Sequence, residues 1–243
     1  MEPAGQTPAK PQPRAVRTLA VDIGGTGIKA LVLSTTGKPL TKRARVKTPR
    51  PATPAAVLKT IVDLVKQQGK FDRVSVGFPG VVCRGVVFTA PNLDGNWRRF
   101  HLSEALAKKL GKPVRVANDA DVQGWGVIAG DGVELVVTLG TGFGSALFLD
   151  GKLVPNLELA HHPYQKGKTY EELLGDAARK KIGKKKWNRR LLKAIATLEH
   201  AFNYDRLYIG GGNAKKIILK LPSNTRIVEN VAGLLGGIAL WRD

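Results

Sequence analysis

The sequence is short of cysteine, of acidic residues and of long apolar runs, and each shortage excludes a class of protein. Cys83 is the only cysteine among 243 residues, so neither an intrachain disulfide nor a cysteine-rich metal site can form. No apolar run approaches the roughly 20 residues that a membrane-spanning helix needs. Residues 1–16 are rich in proline and lack the apolar core of a secretory signal, so we expect a disordered leader. These features favour a cytoplasmic protein without a membrane segment.

The shortage of acidic residues leaves a large positive charge. The chain has 39 Lys and Arg residues against 19 Asp and Glu, a net charge of +20. Such an excess attracts polyanions, and nucleic acid, an anionic membrane and inorganic polyphosphate all remain open on charge alone. Aromatic residues are only 6% of the chain, too few to indicate an extended base-stacking surface. We therefore expect no nucleic-acid partner.

One stretch near the start combines groups that suit a phosphate and a cation. Residues 19–21 predict a buried strand, which ends in Asp22 and a glycine pair. Asp22 can hold a hard cation directly or through water, and glycine N–H groups can approach a ligand closely. Lys29 adds a positive charge. The stretch indicates a site for phosphate and Mg²⁺, with an ordinary hairpin turn as the structural alternative.

The same pattern of strand, glycine, threonine, glycine and strand returns at residues 134–149. This internal repeat predicts two lobes of related topology, each with a phosphate loop facing one cleft. A third glycine run, residues 210–212, ends the last clear strand. We expect a helix to begin after it, with Lys215 and Lys216 in its first turns.

Periodicity and turn signals predict the remaining elements. Residues 28–33 and 41–47 should complete a three-stranded antiparallel meander with the opening strand. The other expected strands are 74–78, 114–117 and an edge strand at 227–228, and the expected helices are 54–68, 101–110 with Ser103 as N-cap, one ending near Ala129, and 231–241.

Carboxylates and imidazoles mark two further candidate positions. Asp119 and Asp121 follow a strand end directly, where a helix starts, which favours a catalytic carboxylate, although first-turn charges also complement the helix dipole. Glu158, His161 and His162 share a loop. No cysteine lies near them, so a zinc site is disfavoured, and hydrogen bonding to sugar hydroxyls is the alternative.

Five blocks in order, residues 22–26, 77–80, 118–121, 140–142 and 210–212, resemble the ROK family of sugar kinases and repressors. The resemblance runs from about residue 18 to 242. It implies an α/β chain with the actin-like, ribonuclease-H-like ATPase fold, two lobes and a central cleft. It places an N-terminal lobe at 17–117, a C-terminal lobe at 118–230, and a C-terminal helix, 231–243, packed back on the first lobe.

Residues 161–164 and 167–172, together with the lack of a zinc-binding cysteine cluster, resemble the polyphosphate glucokinases within that family. The resemblance implies that Asp119 is the general base for the sugar 6-hydroxyl and that Asp22 helps to place Mg²⁺, with no zinc. The implied sugar-binding residues are Asn92, Asn118, Asp119, Glu158, His161 and Glu171, with Glu172 as the alternative to Glu171. The implied donor-binding residues are Gly24, Gly25, Thr26, Lys29, Gly140, Thr141, Gly142 and Gly211.

The phosphoryl donor stays open between inorganic polyphosphate and ATP. The basic run from Lys166 to Lys193 is either a solvated helix face or a track for a long anion, and its lysines Lys184, Lys185 and Lys186 are the densest part. We expect polyphosphate as donor and glucose as acceptor, with mannose left open. A strictly ATP-dependent kinase and a nucleic-acid-binding regulator of the same fold are the alternatives. The family resemblance also implies a homodimer.

Overall fold

The computed structural model describes residues 15–228 and 232–242, so 14 of the 16 residues of the expected leader lie outside the described residues. The strands are β1 (Thr18–Ile23), β2 (Gly27–Leu33), β3 (Ala44–Lys47), β4 (Arg73–Phe78), β5 (Val82–Cys83), β6 (Val86–Val87), β7 (Phe100–His101), β8 (Val114–Asn118), β9 (Val133–Leu139), β10 (Phe143–Leu149), β11 (Lys152–Val154), β12 (Pro163–Gln165), β13 (Lys168–Thr169), β14 (Arg206–Gly210) and β15 (Thr225–Ile227). The helices are α1 (Pro54–Val65), α2 (Leu102–Leu110), α3 (Asp119–Trp125), α4 (Tyr170–Leu174), α5 (Asp176–Ile182), α6 (Lys184–Phe202) and α7 (Ala232–Leu235).

Two five-stranded sheets share one topology. The first has the order β3-β2-β1-β4-β8 and the second the order β11-β10-β9-β14-β15. In each, an antiparallel meander of three strands continues into two parallel strands. The internal repeat predicted from the glycine loops is therefore present in the strand order, and the mixed α/β architecture is confirmed.

Each sheet has its own apolar core. In the first, buried residues of β1, β2 and β4 pack against α1 and α2. Helix α1 buries Val57, Ile61 and Leu64 on one face and is capped by Thr53, whose hydroxyl accepts from the Ala56 N–H at 3.4 Å. In the second, α4 and α6 cover β9 and β14, and Trp187 is fully buried there.

The chain end packs on the first sheet. A 3₁₀ helix, Gly236–Trp241, follows α7. Ser75 donates to the Gly237 carbonyl and accepts from the Trp241 indole N–H at 2.9 Å. The guanidinium groups of Arg73 and Arg115 lie 5.0 and 4.6 Å from the Trp241 ring centroid. The domain boundary near residue 118 stays a prediction, because β8 of the first sheet runs into α3 there without a break.

Several predicted elements differ in detail. Ser103 is not the N-cap of α2: His101 holds that position, and the Ser103 hydroxyl donates to the Val114 carbonyl at 2.6 Å. After the third glycine run the expected helix is only a three-residue 3₁₀ turn, Ala214–Lys216, because the chain soon turns toward the edge strand β15.

The expected final helix is divided into α7 and the 3₁₀ segment. At the junction, Gly236 approaches the Val122 carbonyl too closely for a side chain. Boundaries also move. Helix α1 ends at Val65, helix α3 at Trp125, and strand β3 begins at Ala44.

Candidate active site

A cavity of about 450 Å³ lies between the two sheets. It brings together every predicted sugar-binding and donor-binding residue and the predicted Mg²⁺ residue. These are Asp22, Gly24, Gly25, Thr26, Lys29, Asn92, Asn118, Asp119, Gly140, Thr141, Gly142, Glu158, His161, Glu171 and Gly211. Residues far apart in the chain therefore share one concave surface, which is typical of a ligand site.

The first glycine loop joins β1 to β2 at one wall of the cavity. Two side chains that follow β3 bind its carbonyl oxygens: the Thr48 hydroxyl donates to the Gly24 carbonyl at 2.5 Å, and the Arg50 guanidinium donates to the Gly25 carbonyl at 2.9 Å. Asp22 is the one residue of β1 that is not fully buried, and it forms an ion pair with Lys29 at 2.6 Å. A carboxylate and a cation thus stand beside a loop whose glycines leave its backbone accessible.

The second and third glycine runs are tied to each other. The Gly140 carbonyl accepts from the Asn213 side chain at 3.0 Å and from the Asp176 N–H at 3.1 Å. Gly211 has φ +86°, and a Cβ there would lie 2.3 Å from the Leu139 carbonyl oxygen. Only glycine fits this position, so the close packing of the two loops requires it.

Asp119 begins helix α3, lines the cavity and packs beside Gly77 of β4. Burial, together with the nearby negative charges of Asp22 and Glu158, raises the pKa of Asp119 to about 7. Asp121 is 5% exposed, and burial with the charge of Asp119 likewise raises its pKa to about 7. A carboxylate with such a pKa in a cleft is a candidate proton acceptor near neutral pH.

Asn118 fixes the start of that helix. Its side-chain oxygen accepts from the Ala120 N–H at 2.7 Å, and its amide donates to the Gly80 carbonyl at 3.1 Å and to Glu158 at 3.5 Å. Much of its hydrogen-bonding capacity is therefore used within the protein. Asn118 positions Asp119 and Glu158 as well as lining the cavity.

The opposite side of the cavity carries acids and an imidazole. Burial raises the pKa of Glu158, which lies at the start of the short 3₁₀ turn that holds His161. Glu171 accepts from the Phe143 N–H at 3.3 Å and occupies the space that a side chain on Gly142 would need. Glu172 instead completes a capping box with Thr169, so Glu171 is the one at the cavity.

Three predicted site residues do not line this cavity. Lys184, Lys185 and Lys186 form the exposed first turn of α6. They follow α5, which leads away from the second glycine loop. Their assignment as a polyphosphate track stays a prediction.

The structure also adds cavity-lining residues that the sequence did not single out. Arg43 lies just before β3, Arg45 lies on β3, and Gln123 lies on α3. In the sequence, an exposed arginine on an edge strand cannot be distinguished from any other surface charge. Only the pairing of the strands shows that it lines the cavity. The Gln123 side-chain nitrogen is buried without a hydrogen-bond partner in the described part of the chain.

Comparison with protein families matches the ROK family over residues 18–157. The chain belongs to the ROK family. A curated member, the polyphosphate glucokinase of Mycobacterium tuberculosis, is 34% identical over 233 residues, which cover 89% of this chain and 88% of that protein. The sequence resemblance to this family is thereby confirmed.

Solved ROK structures confirm the fold. The inorganic polyphosphate/ATP-glucomannokinase from Arthrobacter sp. strain KM has a TM-score of 0.85 at 35% identity, covering 93% of this chain and 100% of that chain. A ROK family glucokinase from Streptomyces griseus, solved with glucose and AMPPNP, has a TM-score of 0.77 at 22% identity, covering 92% and 98% of the two chains. The second likeness shows the fold alone.

Among helices of the described residues, none has the length and apolar character of a membrane span.

Proposed function

We propose that this ROK protein is a sugar kinase that transfers the terminal phosphoryl group of inorganic polyphosphate to the 6-hydroxyl of glucose. The observation that carries the proposal is the position of Asp119, a carboxylate with a raised pKa, in one cavity with two glycine loops and a group of sugar-suited side chains. Two of the relatives named above support this substrate pair, since one is named a polyphosphate glucokinase and the other an inorganic polyphosphate/ATP-glucomannokinase.

In the proposed reaction, Asp119 accepts the proton of the sugar 6-hydroxyl. The hydroxyl oxygen forms a new bond to the terminal phosphorus, while the bond from that phosphorus to its bridging oxygen breaks. The shortened polyphosphate leaves with the electron pair. Since phosphoryl transfer has a loose transition state, the protein mainly aligns the reactants and stabilises charge.

The two sides of the cavity would bind different reactants, the sugar on one side and the phosphoryl donor on the other. Glu158, His161 and Glu171 would hold the sugar hydroxyls, with Asn92 and Asn118 beside them. The phosphates would bind at the first and second glycine loops and at Gly211, where close backbone approach is possible. Lys29 would add positive charge at the first loop.

Mg²⁺ fits this chemistry through Asp22. No cluster of three or more His, Cys, Asp or Glu side chains suited to a metal occurs among the described residues. Mg²⁺ in kinases is commonly held by one or two carboxylates, waters and the phosphates themselves rather than by an all-protein cage. Asp22, partly exposed beside the phosphate loop, would contact it directly or through water. The ion would neutralise phosphate charge when bound.

The test is formation of glucose 6-phosphate from glucose with either polyphosphate or ATP as sole donor. We expect a higher kcat/KM with polyphosphate. Turnover with ATP alone would replace the proposal with an ATP-dependent kinase of the same fold, and no turnover with either donor would overturn the kinase assignment. Mannose as a second acceptor reports how far the cavity discriminates at the 2-hydroxyl.

A further inference from the structure

Three basic side chains, those of Lys29, Arg43 and Arg45, line the cavity on the side of the first sheet. In the strand register, Asp22 of β1 stands opposite Lys29 of β2, and Lys29 stands opposite Arg45 of β3. Neighbouring strands are about 4.8 Å apart, so the row reaches about 10 Å from Asp22 to the sheet edge. Arg43 lines the same cavity one residue before β3.

The guanidinium of Arg45 lies against the first glycine loop. A Cβ on Gly27 would lie 2.9 Å from its Nε atom. The absence of a side chain at Gly27 therefore makes room for Arg45 beside the loop that ends β1. Arg45 is exposed and also lines the cavity, on the side of the first glycine loop.

The charges of the two arginines are uncommitted. Among the residues that the structure describes, no acidic side chain lies within ion-pairing distance of Arg43 or Arg45. By contrast, Arg179 and Lys180, near the second loop, both pair with Asp176 at 2.7 and 2.8 Å. The positive charges of Arg43 and Arg45 are thus available to an anion that enters the cavity.

We propose that Arg43 and Arg45, continuing from Lys29, bind the donor phosphates beyond the one transferred. This inference rests on the proposed function and names the place where a long donor leaves the cavity. A planar guanidinium can hold phosphate oxygens in a two-pronged contact, and two of them extend the site past the glycine loops. The row then favours long polyphosphate over short donors. The lysines of the first turn of α6 are the competing location.

The experiment compares the double variant Arg43→Gln, Arg45→Gln with the wild type for donors of increasing phosphate number. We expect KM for long polyphosphate to rise about tenfold or more, with a smaller rise for ATP and with kcat and the glucose KM close to wild type. The slope of log KM against log salt should fall by about one to two, the scale of two lost phosphate contacts.

Two controls keep the outcomes separate. Arg84→Gln with Arg226→Gln removes the same charge at exposed arginines outside the cavity. Lys184, Lys185 and Lys186 changed together to Ala test the competing track. The proposal is overturned if the Arg43, Arg45 variant changes KM no more than the charge control, or if the lysine variant causes the larger rise. A wild type that ignores polyphosphate would overturn the donor assignment itself.

Discussion

At the scale of single residues, the chemistry depends on how the surroundings change the proton affinity of Asp119. The carboxyl is buried at the start of a helix, and the negative charges of Asp22 and Glu158 lie near enough to raise its pKa. Asn118 caps the start of that helix by accepting a hydrogen bond from the Ala120 N–H, and Gly77 lies beside Asp119. A general base works best when its pKa is near the working pH, and a value about 7 meets that condition.

The raised pKa predicts the pH dependence of activity. Only the ionised form of Asp119 accepts a proton, so kcat/KM for glucose should fall below a midpoint near pH 7, approaching a tenfold loss per pH unit. Initial rates between pH 5 and 8.5 measure this. Asp121→Asn is the control, because Asp121 titrates in the same range. A flat profile in the wild type, or loss of the pH dependence in that variant, would contradict the assignment to Asp119.

At the scale of elements, the glycine loops are the parts on which the cavity depends. Each follows a buried strand. Thr48 and Arg50, which follow β3, hold the first loop, whereas the second and third loops contact each other. Gly211 packs against Leu139, and the Asn213 amide binds the Gly140 carbonyl, so the third run supports the second.

A pair of substitutions tests this support. Gly211→Ala forces a positive φ on alanine and places its Cβ against the Leu139 backbone, so we expect a loss of about 2 kcal/mol or more in the free energy of unfolding. Gly212→Ala is the matched control, since a Cβ there meets nothing within 4 Å, and should stay within about 0.5 kcal/mol. Urea unfolding measures both. Equal effects would show that the packing of Gly211 is not what holds the loop.

The structural elements that the sequence predicted correctly are those marked by neighbouring residues in the chain. Apolar runs that end near a glycine predicted β1, β4, β9 and β14, because a buried strand and the turn after it are determined largely by adjacent residues. The signals that failed depend on tertiary contacts. Ser103 looks like a helix cap in sequence, but its hydroxyl finds the Val114 carbonyl of a neighbouring strand.

The same division applies to the candidate site. Asp22, Asp119 and the glycine loops follow strand ends and could be identified from sequence, and the choice of Glu171 over Glu172 needed the observed capping box. Arg43 and Arg45 could not be identified, because their place is set by the register of β2 with β3 and not by any motif.

At the scale of the whole molecule, α3 and the chain end connect the two sheets. Helix α3 packs against β10 of the second sheet and against α7 and the C-terminal 3₁₀ segment, which in turn cover β1 and β4. The chain end therefore covers part of the first sheet and contacts α3. A homodimer, a cytoplasmic location and the absence of nucleic-acid binding stay predictions from the sequence.

The contact of Trp241 with the first sheet predicts its share in stability. Trp241→Ala removes the ring that Arg73 and Arg115 cover and the hydrogen bond to Ser75, so we expect a loss of about 2 kcal/mol or more. Trp241→Phe, which keeps an aromatic face, should lose less. Chemical unfolding of the two variants measures this loss, and an unchanged midpoint in Trp241→Ala would show that the Trp241 side chain contributes nothing to stability.

The most direct measurement of the central claim is the rate of glucose 6-phosphate formation from glucose and polyphosphate by the wild type and by Asp119→Asn at pH 8. The account predicts activity in the wild type and a fall in kcat of about a hundredfold or more in the variant, the scale of a lost general base, with glucose binding retained. A variant that binds glucose and turns over at nearly the wild-type rate would contradict it.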